Sequence, residues 1–287
     1  EKIDQLKVIE KPNNVEVLPI LELFNYKYDP FKEKMVTKVR IVVRGDKEKQ
    51  YLGKNKIYSP VAGLDIIRLI IVLCCAYGWK MKQLDIKTAF LYGKRSKWIY
   101  LRLPLGHKKR RPGLVWVTKT SVYGLRDAPL VWYMLLNKKL LDFGLIRCVS
   151  ETCLYRKKGL IVVVYGDDLL YCGLESEMNK FEEYIRDYFK IKSTENVKNY
   201  VGFEFNTKEK KLVVSAHIKA ALKRYRLEDA KTKEFPVVYG DVLYEKEDKL
   251  LDDVRLYQSM VGSLHYINTI GRGDISYTVN CLARKNN

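Results

Sequence analysis

Residues 161–171 read IVVVYGDDLLY, and this stretch decides the fold because two apolar runs flank a short polar turn. A Gly-Asp pair between two such runs is a typical signal of a β-hairpin. The hairpin places two adjacent carboxylates, Asp167 and Asp168, at its tip. An apolar hairpin that carries two neighbouring negative charges needs a physical explanation.

Two arrangements make adjacent carboxylates tolerable in an apolar context. A buried, unpaired carboxylate is costly or becomes protonated, and a second like charge beside it increases the cost. The two side chains are therefore either solvated at the tip of the hairpin or held by a metal ion that neutralises both. The motif alone leaves both alternatives open.

A third carboxylate stands in a similar context earlier in the chain. In QLDIKTAF, residues 83–90, Asp85 interrupts an apolar run. Over residues 79–206 the pattern predicts a strand, a helix, a hairpin, a helix and a final strand at 200–206. This order is typical of a split β-α-β-β-α-β unit, an α+β arrangement with an antiparallel sheet and both helices on one face. The strands that carry Asp85 and Asp167 would then be neighbours, and clustered carboxylates favour Mg²⁺.

The composition indicates a polyanionic partner. The chain has 287 residues, 53 Lys and Arg against 34 Asp and Glu, and a formal net charge of +19. A surplus of this size favours nucleic acid, although a protein that is merely basic remains the alternative. The six cysteines show no CxxC pair, and the longest apolar run, residues 66–77, contains Arg68 and is too short to span a bilayer. We therefore expect an intracellular chain without a membrane segment.

Seven blocks of sequence follow one another in a fixed order. The blocks are KVRIVVRGD (38–46), YSPVAGLDIIRLIIVLCCAYGWKMKQLDIKTAFLYG (58–93), SVYGLRDAPLVWY (121–133), ETCLYRK (151–157), VYGDDLL (164–170), YVGFEF (200–205) and YQSMVGSLHYI with DISYTV (257–279). Together they resemble the reverse transcriptase of copia-type long-terminal-repeat retrotransposons. An isolated GDD is equally compatible with a viral RNA-dependent RNA polymerase, but QLDIKTAF and YGLRDAP favour the copia branch.

The resemblance implies the right-handed polymerase fold of fingers, palm and thumb, with the split β-α-β-β-α-β unit as the palm. It assigns residues 1–78 to the fingers and 79–206 to the palm, with a finger insertion near 91–120. Residues 207–235 would form a thumb-like helical region, and residues 236–287 the start of a connection region. No ribonuclease H carboxylate set follows residue 279, so we expect a polymerase segment of a longer polyprotein or a fragmentary copy.

The resemblance also implies the roles of individual residues. Asp85, Asp167 and Asp168 would be catalytic, and these three with Ile86 would hold two Mg²⁺ ions, with Mn²⁺ as a substitute. The implied nucleotide-binding residues are Lys38, Arg40, Phe90, Tyr123 and Gly124, where Phe90 excludes a 2′-hydroxyl and Gly124 lets the backbone approach the ligand. The implied primer and template contacts are Tyr165, Gly166, Tyr200, Val201, Gly202 and Phe203.

Three departures from the family pattern bear on activity. Gly166 stands where a β-branched residue is usual, Arg126-Asp127 replaces Lys-Gln, and LYGKRSKW (91–98) is basic where relatives are commonly acidic. Asp127 either caps the following helix or weakens nucleotide binding. The chain is thus interpreted as an RNA-directed DNA polymerase, and the alternative is a catalytically silent, domesticated or decayed nucleic-acid-binding remnant.

The polymerase interpretation predicts the partners and the location. The partners would be an RNA template, a DNA or RNA primer and deoxynucleoside triphosphates. Integrase and ribonuclease H domains are expected in an intact element. The location would be a cytoplasmic particle, with the nucleus as a further site.

Overall fold

The hairpin around Gly166 lies at the centre of a six-stranded sheet in the computed structural model, which describes residues 6–29, 34–48, 57–206, 209–237 and 253–285. The strands are β1 (Lys7–Glu10), β2 (Val17–Leu18), β3 (Ile20–Asp29), β4 (Lys34–Val43), β5 (Lys80–Ile86), β6 (Lys94–Leu101), β7 (Leu114–Thr120), β8 (Ile146–Arg147), β9 (Leu154–Lys157), β10 (Leu160–Tyr165), β11 (Asp168–Gly173), β12 (Ile191–Glu195), β13 (Asn199–Tyr200), β14 (Phe203–Asn206) and β15 (Lys211–Val213). The helices are α1 (Leu64–Tyr77), α2 (Ala128–Asp142), α3 (Glu175–Tyr188), α4 (Ser215–Tyr225), α5 (Val254–Ile270) and α6 (Ser276–Ala283).

The central sheet has the strand order β12-β5-β11-β10-β9-β8, and all of its pairs are antiparallel. Strands β5, β10, β11 and β12, with α2 and α3 between them, form the predicted split β-α-β-β-α-β unit. The strand of Asp85 is therefore the direct neighbour of the strand that begins at Asp168. The α+β architecture and the adjacency of these two strands are confirmed.

The strand that closes this unit was predicted wrongly. It is β12, which follows α3 after two residues, and not the segment 200–206. YVGFEFN cannot form one long strand because Val201 and Gly202 both have positive φ values, 45° and 82°. The chain reverses there, so that Tyr200 pairs with Phe203 in a separate three-stranded sheet, β13-β14-β15.

Both palm helices pack on one face of the central sheet, as predicted. Tyr155, Val162, Tyr171 and Lys82 lie side by side across four strands in register and hence on the same face. The hydroxyl of Tyr155 donates to Asn137 on α2, and the hydroxyl of Tyr171 donates to Glu182 on α3.

The opposite face of the central sheet carries the carboxylates. Successive strand side chains alternate between faces, so Met81, Gln83 and Asp85 point away from α2 and α3. At the far end of this face the Cys172 thiol lies beside the Cys74 thiol of α1. Helix α1 thus meets one end of the face, and Asp85 lies at the other end of its strand.

A second sheet, β1-β7-β6-β2, and the two-stranded ribbon β3-β4 belong to the same unit as the central sheet. The core that joins the second sheet to the base of the ribbon includes Leu18, Val43, Leu101 and Trp116. The ribbon continues outward from this base, and Phe24 and Tyr26 on it are exposed.

The chain divides into two units, residues 1–74 with 79–196 and residues 75–78 with 197–287. The second unit contains β13-β14-β15 and the helices α4, α5 and α6. Within it, the Tyr225 hydroxyl donates to the carbonyl of Ser259, which ties α4 to α5. Among the described residues, no helix combines the length and the apolarity needed to cross a membrane.

The limits assigned to the fingers, palm, thumb-like and connection segments stay predictions. Parts of the fingers segment, at residues 1–5, 30–33 and 49–56, lie outside the described residues. The same holds for residues 238–252 of the connection segment and for the last two residues of the chain.

Candidate active site

The tip of the β10-β11 hairpin is a two-residue turn. Tyr165 pairs with Asp168, which leaves Gly166 and Asp167 as the central residues. Gly166 has a φ of +66° and a solvent-exposed position. A positive φ at the first central residue is what a type II′ turn requires, and glycine adopts it without steric cost. Glycine at this position therefore fits the backbone of the turn.

Substituting Gly166 with valine should destabilise the protein although the space around it is open. No atom lies within 4 Å of the position that a Cβ on Gly166 would take, so the expected loss of about 1–2 kcal/mol comes from backbone strain alone. Gly106→Val is the matched control, because Gly106 also has open space but no positive φ. Thermal unfolding of both variants checks this expectation, and an equal change in the two midpoints would contradict it.

The structure brings the three predicted carboxylates together. Asp85 on β5 is the register partner of Asp168 on β11, so the two side chains lie on the same face of the sheet. The backbone N–H of Ile86 donates to the carbonyl of Asp167 at 3.1 Å, which ties the turn to the end of β5. Three acidic residues from two adjacent strands therefore meet at one end of the sheet.

Asp168 has a partner inside the protein, whereas Asp167 is exposed. The side-chain amide of Gln83 donates to Asp168 Oδ1 at 3.1 Å. Burial raises the pKa of the Asp168 carboxyl, the Gln83 hydrogen bond opposes this rise, and the charges of Asp167 and Asp85 add to it. The fold thus makes the ionisation of Asp168 less favourable than in water.

The raised pKa of Asp168 predicts how the stability of the folded protein depends on pH. A carboxyl whose pKa is higher in the folded state than in the unfolded state lowers stability as pH rises through the folded pKa. Asp168→Asn keeps an oxygen that accepts from Gln83 but removes the charge, so the variant should unfold at a higher temperature than the wild type at pH 7.5. The difference should shrink at pH 4, near the ordinary pKa of an aspartate of about 3.9. Equal differences at both pH values, measured by circular dichroism, would contradict the assignment.

The donor set fits a magnesium site that substrate helps to complete. In the described part of the chain, neither Asp85 nor Asp167 takes part in a salt bridge. The part of the chain that the structure describes contains no group of three or more acidic, histidine or cysteine side chains that could hold a metal ion by themselves. Mg²⁺ commonly binds one or two carboxylates and keeps waters and substrate phosphates as its other ligands. Asp85 and Asp167 are carboxylates of this kind.

Phe90 and Tyr123 lie beside the carboxylates. Phe90 belongs to a short 3₁₀ helix, Ala89–Tyr92, that follows β5 directly, and its ring meets the Tyr123 ring edge-on with centroids 4.8 Å apart. Burial raises the pKa of the Tyr123 hydroxyl, and the charges of Asp167 and Asp85 raise it further. The charge of Arg40 on β4 lowers the pKa of the Tyr123 hydroxyl, so Arg40 lies near the same side chains.

Gly124 packs against strand β4. A Cβ on Gly124 would lie 2.1 Å from the carbonyl oxygen of Val43, and its φ is +91°. The backbone N–H of Val43 also donates to the Tyr123 carbonyl at 2.7 Å. Sequence reasoning explained this glycine by the approach of a ligand, whereas the structure shows that the close neighbour is strand β4.

Lys38 and Arg40 share one face of the exposed ribbon. Both lie on β4 two residues apart, opposite Asn25 and Leu23 respectively. Residues at this spacing point to the same side of a strand. Both side chains are exposed and available to a ligand, and their role in binding a triphosphate stays a prediction.

Asp127 precedes α2 but does not cap it with its side chain. Its carboxylate instead accepts from Arg95 Nε at 2.8 Å, and Arg95 Nη2 donates to Glu48 at 2.9 Å. The side chains of Arg95, Asp127 and Glu48 are only 6%, 8% and 13% exposed. Sequence reasoning missed this buried ion-pair network, because Arg95 lies 32 residues from Asp127 and 47 residues from Glu48 along the chain.

Trp132 is a second residue that sequence reasoning missed. Its indole N–H donates to the carbonyl of Gly166 at 2.9 Å, so helix α2 contacts the turn that carries Asp167. The only signal was its position in the block SVYGLRDAPLVWY, where it resembles an ordinary buried helix residue.

The predicted primer contacts differ in accessibility. Tyr165 is partly buried at the end of β10. In the second unit, Tyr200 and Phe203 are buried, while Val201 and Gly202 form the turn between β13 and β14. A Cβ on Gly202 would lie 2.5 Å from the hydroxyl of Tyr266, so this turn packs against α5. The surface available to a primer is therefore the turn, and the role of all these residues stays a prediction.

The split sheet, with a cluster of carboxylates at one end, has the architecture of a polymerase palm. The model of the reverse transcriptase (RNA-dependent DNA polymerase) family matches residues 4–239. The chain belongs to this family, and the predicted polymerase fold is thereby confirmed.

Relatives from transposons agree with the family match. The chain is 30% identical over 281 residues to the retrovirus-related Pol polyprotein from transposon RE1 of Arabidopsis thaliana, covering 95% of this chain and 19% of the relative. It is 28% identical to the corresponding polyprotein from transposon TNT 1-94 of Nicotiana tabacum, covering 99% of this chain and 23% of the relative. The resemblance to copia-type reverse transcriptases is confirmed, and the chain spans about a fifth of the length of these relatives.

A solved structure of a foamy viral protease–reverse transcriptase in complex with double-stranded DNA is also similar. The matched region covers 97% of this chain and 41% of the viral chain, with 12% sequence identity and a TM-score of 0.46.

Proposed function

We propose that this chain is an RNA-directed DNA polymerase that extends a primer 3′-hydroxyl with deoxynucleotides. The observation that carries the proposal is the convergence of Asp85, Asp167 and Asp168 from two adjacent strands, in a chain of the reverse transcriptase family. The net charge of +19 supports a nucleic-acid substrate.

Asp85 and Asp167 would hold Mg²⁺, with the carbonyl of Ile86 and the Asp168 carboxylate beside them. When bound there, two ions supply positive charge that lowers the pKa of a primer hydroxyl and balances the charge of the pyrophosphate, and Mn²⁺ would substitute for them. The chain's own contribution is to fix the carboxylates on a rigid sheet. Asp168 is held by Gln83, so it would act mainly through its charge beside the other two.

The residues around the carboxylates would bind the incoming deoxynucleoside triphosphate. The exposed face of the ribbon that carries Lys38 and Arg40 would contact the triphosphate, since a guanidinium binds phosphate oxygens bidentately. The ring of Phe90, held edge-on by Tyr123, would occupy the space that a 2′-hydroxyl needs.

Replacing Phe90 with valine should therefore weaken the preference for deoxynucleotides. We expect incorporation of ribonucleotides relative to deoxynucleotides to rise about 10- to 100-fold, the range that a change of pocket size commonly produces. Leu91→Val, one residue further along the same 3₁₀ helix, controls for lost side-chain volume. Competition assays with both sugars check the ratio, and an unchanged ratio in Phe90→Val would remove this role.

The polymerase function implies the partners and the location of the protein. The template would be RNA, the primer DNA or RNA, and the turn at Val201 and Gly202 would contact the primer. Integrase and ribonuclease H domains would accompany this segment in an intact polyprotein. The greater length of the Pol polyproteins that the chain matches supports the presence of further domains. A cytoplasmic particle, with later access to the nucleus, is the proposed location.

The alternative is a catalytically silent nucleic-acid-binding remnant, for which Asp127 near the nucleotide pocket was one of two sequence arguments. In the structure the Asp127 carboxylate pairs with buried Arg95. An acidic group that is already paired adds little negative charge to a neighbouring pocket. This pairing favours the active enzyme.

Primer extension tests the proposed function. A 5′-labelled DNA primer annealed to an RNA template, with Mg²⁺ and all four deoxynucleotides, should yield a ladder of longer products. A parallel filter-binding assay across a salt series measures duplex affinity. Salt-sensitive binding with no product in either Mg²⁺ or Mn²⁺ would favour the silent remnant.

A further inference from the structure

The peptide bond between Gly166 and Asp167 is held by a side chain that lies outside the hairpin. Trp132 Nε1 donates to the Gly166 carbonyl oxygen at 2.9 Å, and the Trp132 side chain is 1% exposed. A peptide unit is planar, so fixing this oxygen fixes the plane from which the Asp167 Cα departs. The hydrogen bond therefore constrains the backbone from which the Asp167 side chain projects.

Asp167 is constrained on its other side as well. Its own carbonyl accepts from the backbone N–H of Ile86 at 3.1 Å. The two peptide units that flank Asp167 are thus tied to two different elements, α2 through Trp132 and β5 through Ile86. At Gly166 itself no other atom lies within 4 Å of where a Cβ would stand, so side-chain packing on that flank adds no support.

Trp132 is itself held in place by two aromatic rings. Its ring lies 5.2 Å from that of Phe189 in an edge-on arrangement and 6.4 Å from that of Tyr92. Tyr92 and Phe189 contact each other at 5.0 Å, and the Tyr92 hydroxyl accepts from the backbone N–H of Lys190. The three-ring cluster of Tyr92, Trp132 and Phe189 leaves the indole little freedom to turn away from the hairpin.

We propose that Trp132 is a positioning residue of the active site, whose indole N–H orients Asp167 relative to Asp85. The inference rests on the proposed function, since it assigns Asp167 to a metal site. Removing a hydrogen bond that orients a metal-binding residue commonly weakens metal binding about 10- to 100-fold. Loss of this N–H should therefore raise the concentration of divalent ion that the protein needs, with little effect on nucleotide binding.

Trp132→Phe tests the proposal, with Trp116→Phe as the matched control. Both variants replace a buried indole by a phenyl ring, but only Trp132→Phe removes the donor to Gly166. We expect Trp132→Phe to bind Mn²⁺ at least about tenfold more weakly, measured by electron paramagnetic resonance of free Mn²⁺ in the presence of primer–template. Its half-saturating Mg²⁺ concentration for extension should rise by the same factor, while KM for the deoxynucleotide stays within twofold of wild type.

A second variant separates the hydrogen bond from the packing of the ring. Benzothienylalanine at position 132 replaces the N–H by sulfur and keeps the size of the indole, so it is used if Trp132→Phe does not fold. Weaker Mn²⁺ binding in this variant, with Trp116→Phe near wild type, supports the proposal. Equal Mn²⁺ affinity in the donor-free variant and in Trp116→Phe overturns it. Mn²⁺ binding is measured without turnover, so a wild type that binds Mn²⁺ but extends no primer would contradict the proposed function alone.

Discussion

Asp85→Asn and Asp167→Asn, each alone, are expected to reduce primer extension about a thousandfold or more while the protein stays folded. A bound divalent ion contributes several kcal/mol of charge stabilisation in phosphoryl transfer, and each 1.36 kcal/mol corresponds to a factor of ten in rate. Asparagine keeps the shape of the side chain but removes the charge that would hold the ion. Single-nucleotide incorporation measured by rapid quench gives the rate for each variant.

The control for these variants is Asp187→Asn, which removes an exposed carboxylate from α3. It should extend primers at the wild-type rate. Thermal midpoints of the Asp85 and Asp167 variants should equal or exceed that of the wild type, because each substitution removes a like charge from an acidic cluster. Residual extension within tenfold of wild type in either variant would contradict the proposed metal site.

Arg95→Met is expected to destabilise the protein by about 3–5 kcal/mol, the cost of removing one partner from a buried ion pair. Arg95 binds both Asp127 and Glu48, so the substitution leaves two buried carboxylates without their cation. The network joins the segment after β4, at Glu48, through Arg95 on β6 to Asp127 at the start of α2. Urea unfolding of wild type and variant measures the difference.

Two further variants sharpen the interpretation of Arg95→Met. Arg44→Met breaks the pair with Asp46, in which the two side chains are 38% and 54% exposed, and should cost much less because solvent screens this pair. Adding Asp127→Asn to Arg95→Met should recover part of the lost stability, because it removes one of the two buried carboxylates left without a cation. A loss for Arg95→Met as small as that for Arg44→Met would show that the buried network is not a major source of stability.

The central hairpin and its neighbour strand were predictable from sequence because their signals are local. Apolar runs around a Gly-Asp turn predict a hairpin, and the order of elements makes the strands of Asp85 and Asp168 adjacent. The helices α2 and α3 also follow from their patterns. The closing strand was not predictable in this way, because IKSTE at 191–195 is polar and short, whereas YVGFEFN alternates but turns back at Val201.

The supporting contacts of the site could not be predicted because they join distant parts of the chain. Arg95 and Asp127 each looked like a departure from the family pattern, a basic segment and an acidic residue near the pocket. The structure pairs them at 2.8 Å, so each departure compensates for the other. The hydrogen bond from Trp132 to Gly166 spans 34 residues, and no periodicity reports which carbonyl an indole will reach.

Single-nucleotide incorporation on an RNA template shows directly whether this chain copies RNA into DNA at the carboxylate cluster. The wild-type chain, a labelled primer–template and Mg²⁺ are supplied with one deoxynucleotide at a time. The predicted result is extension by one residue with the complementary deoxynucleotide only, and none after chelation of Mg²⁺ or in Asp167→Asn. Equal extension by wild type and Asp167→Asn, or duplex binding without any extension, would contradict the account.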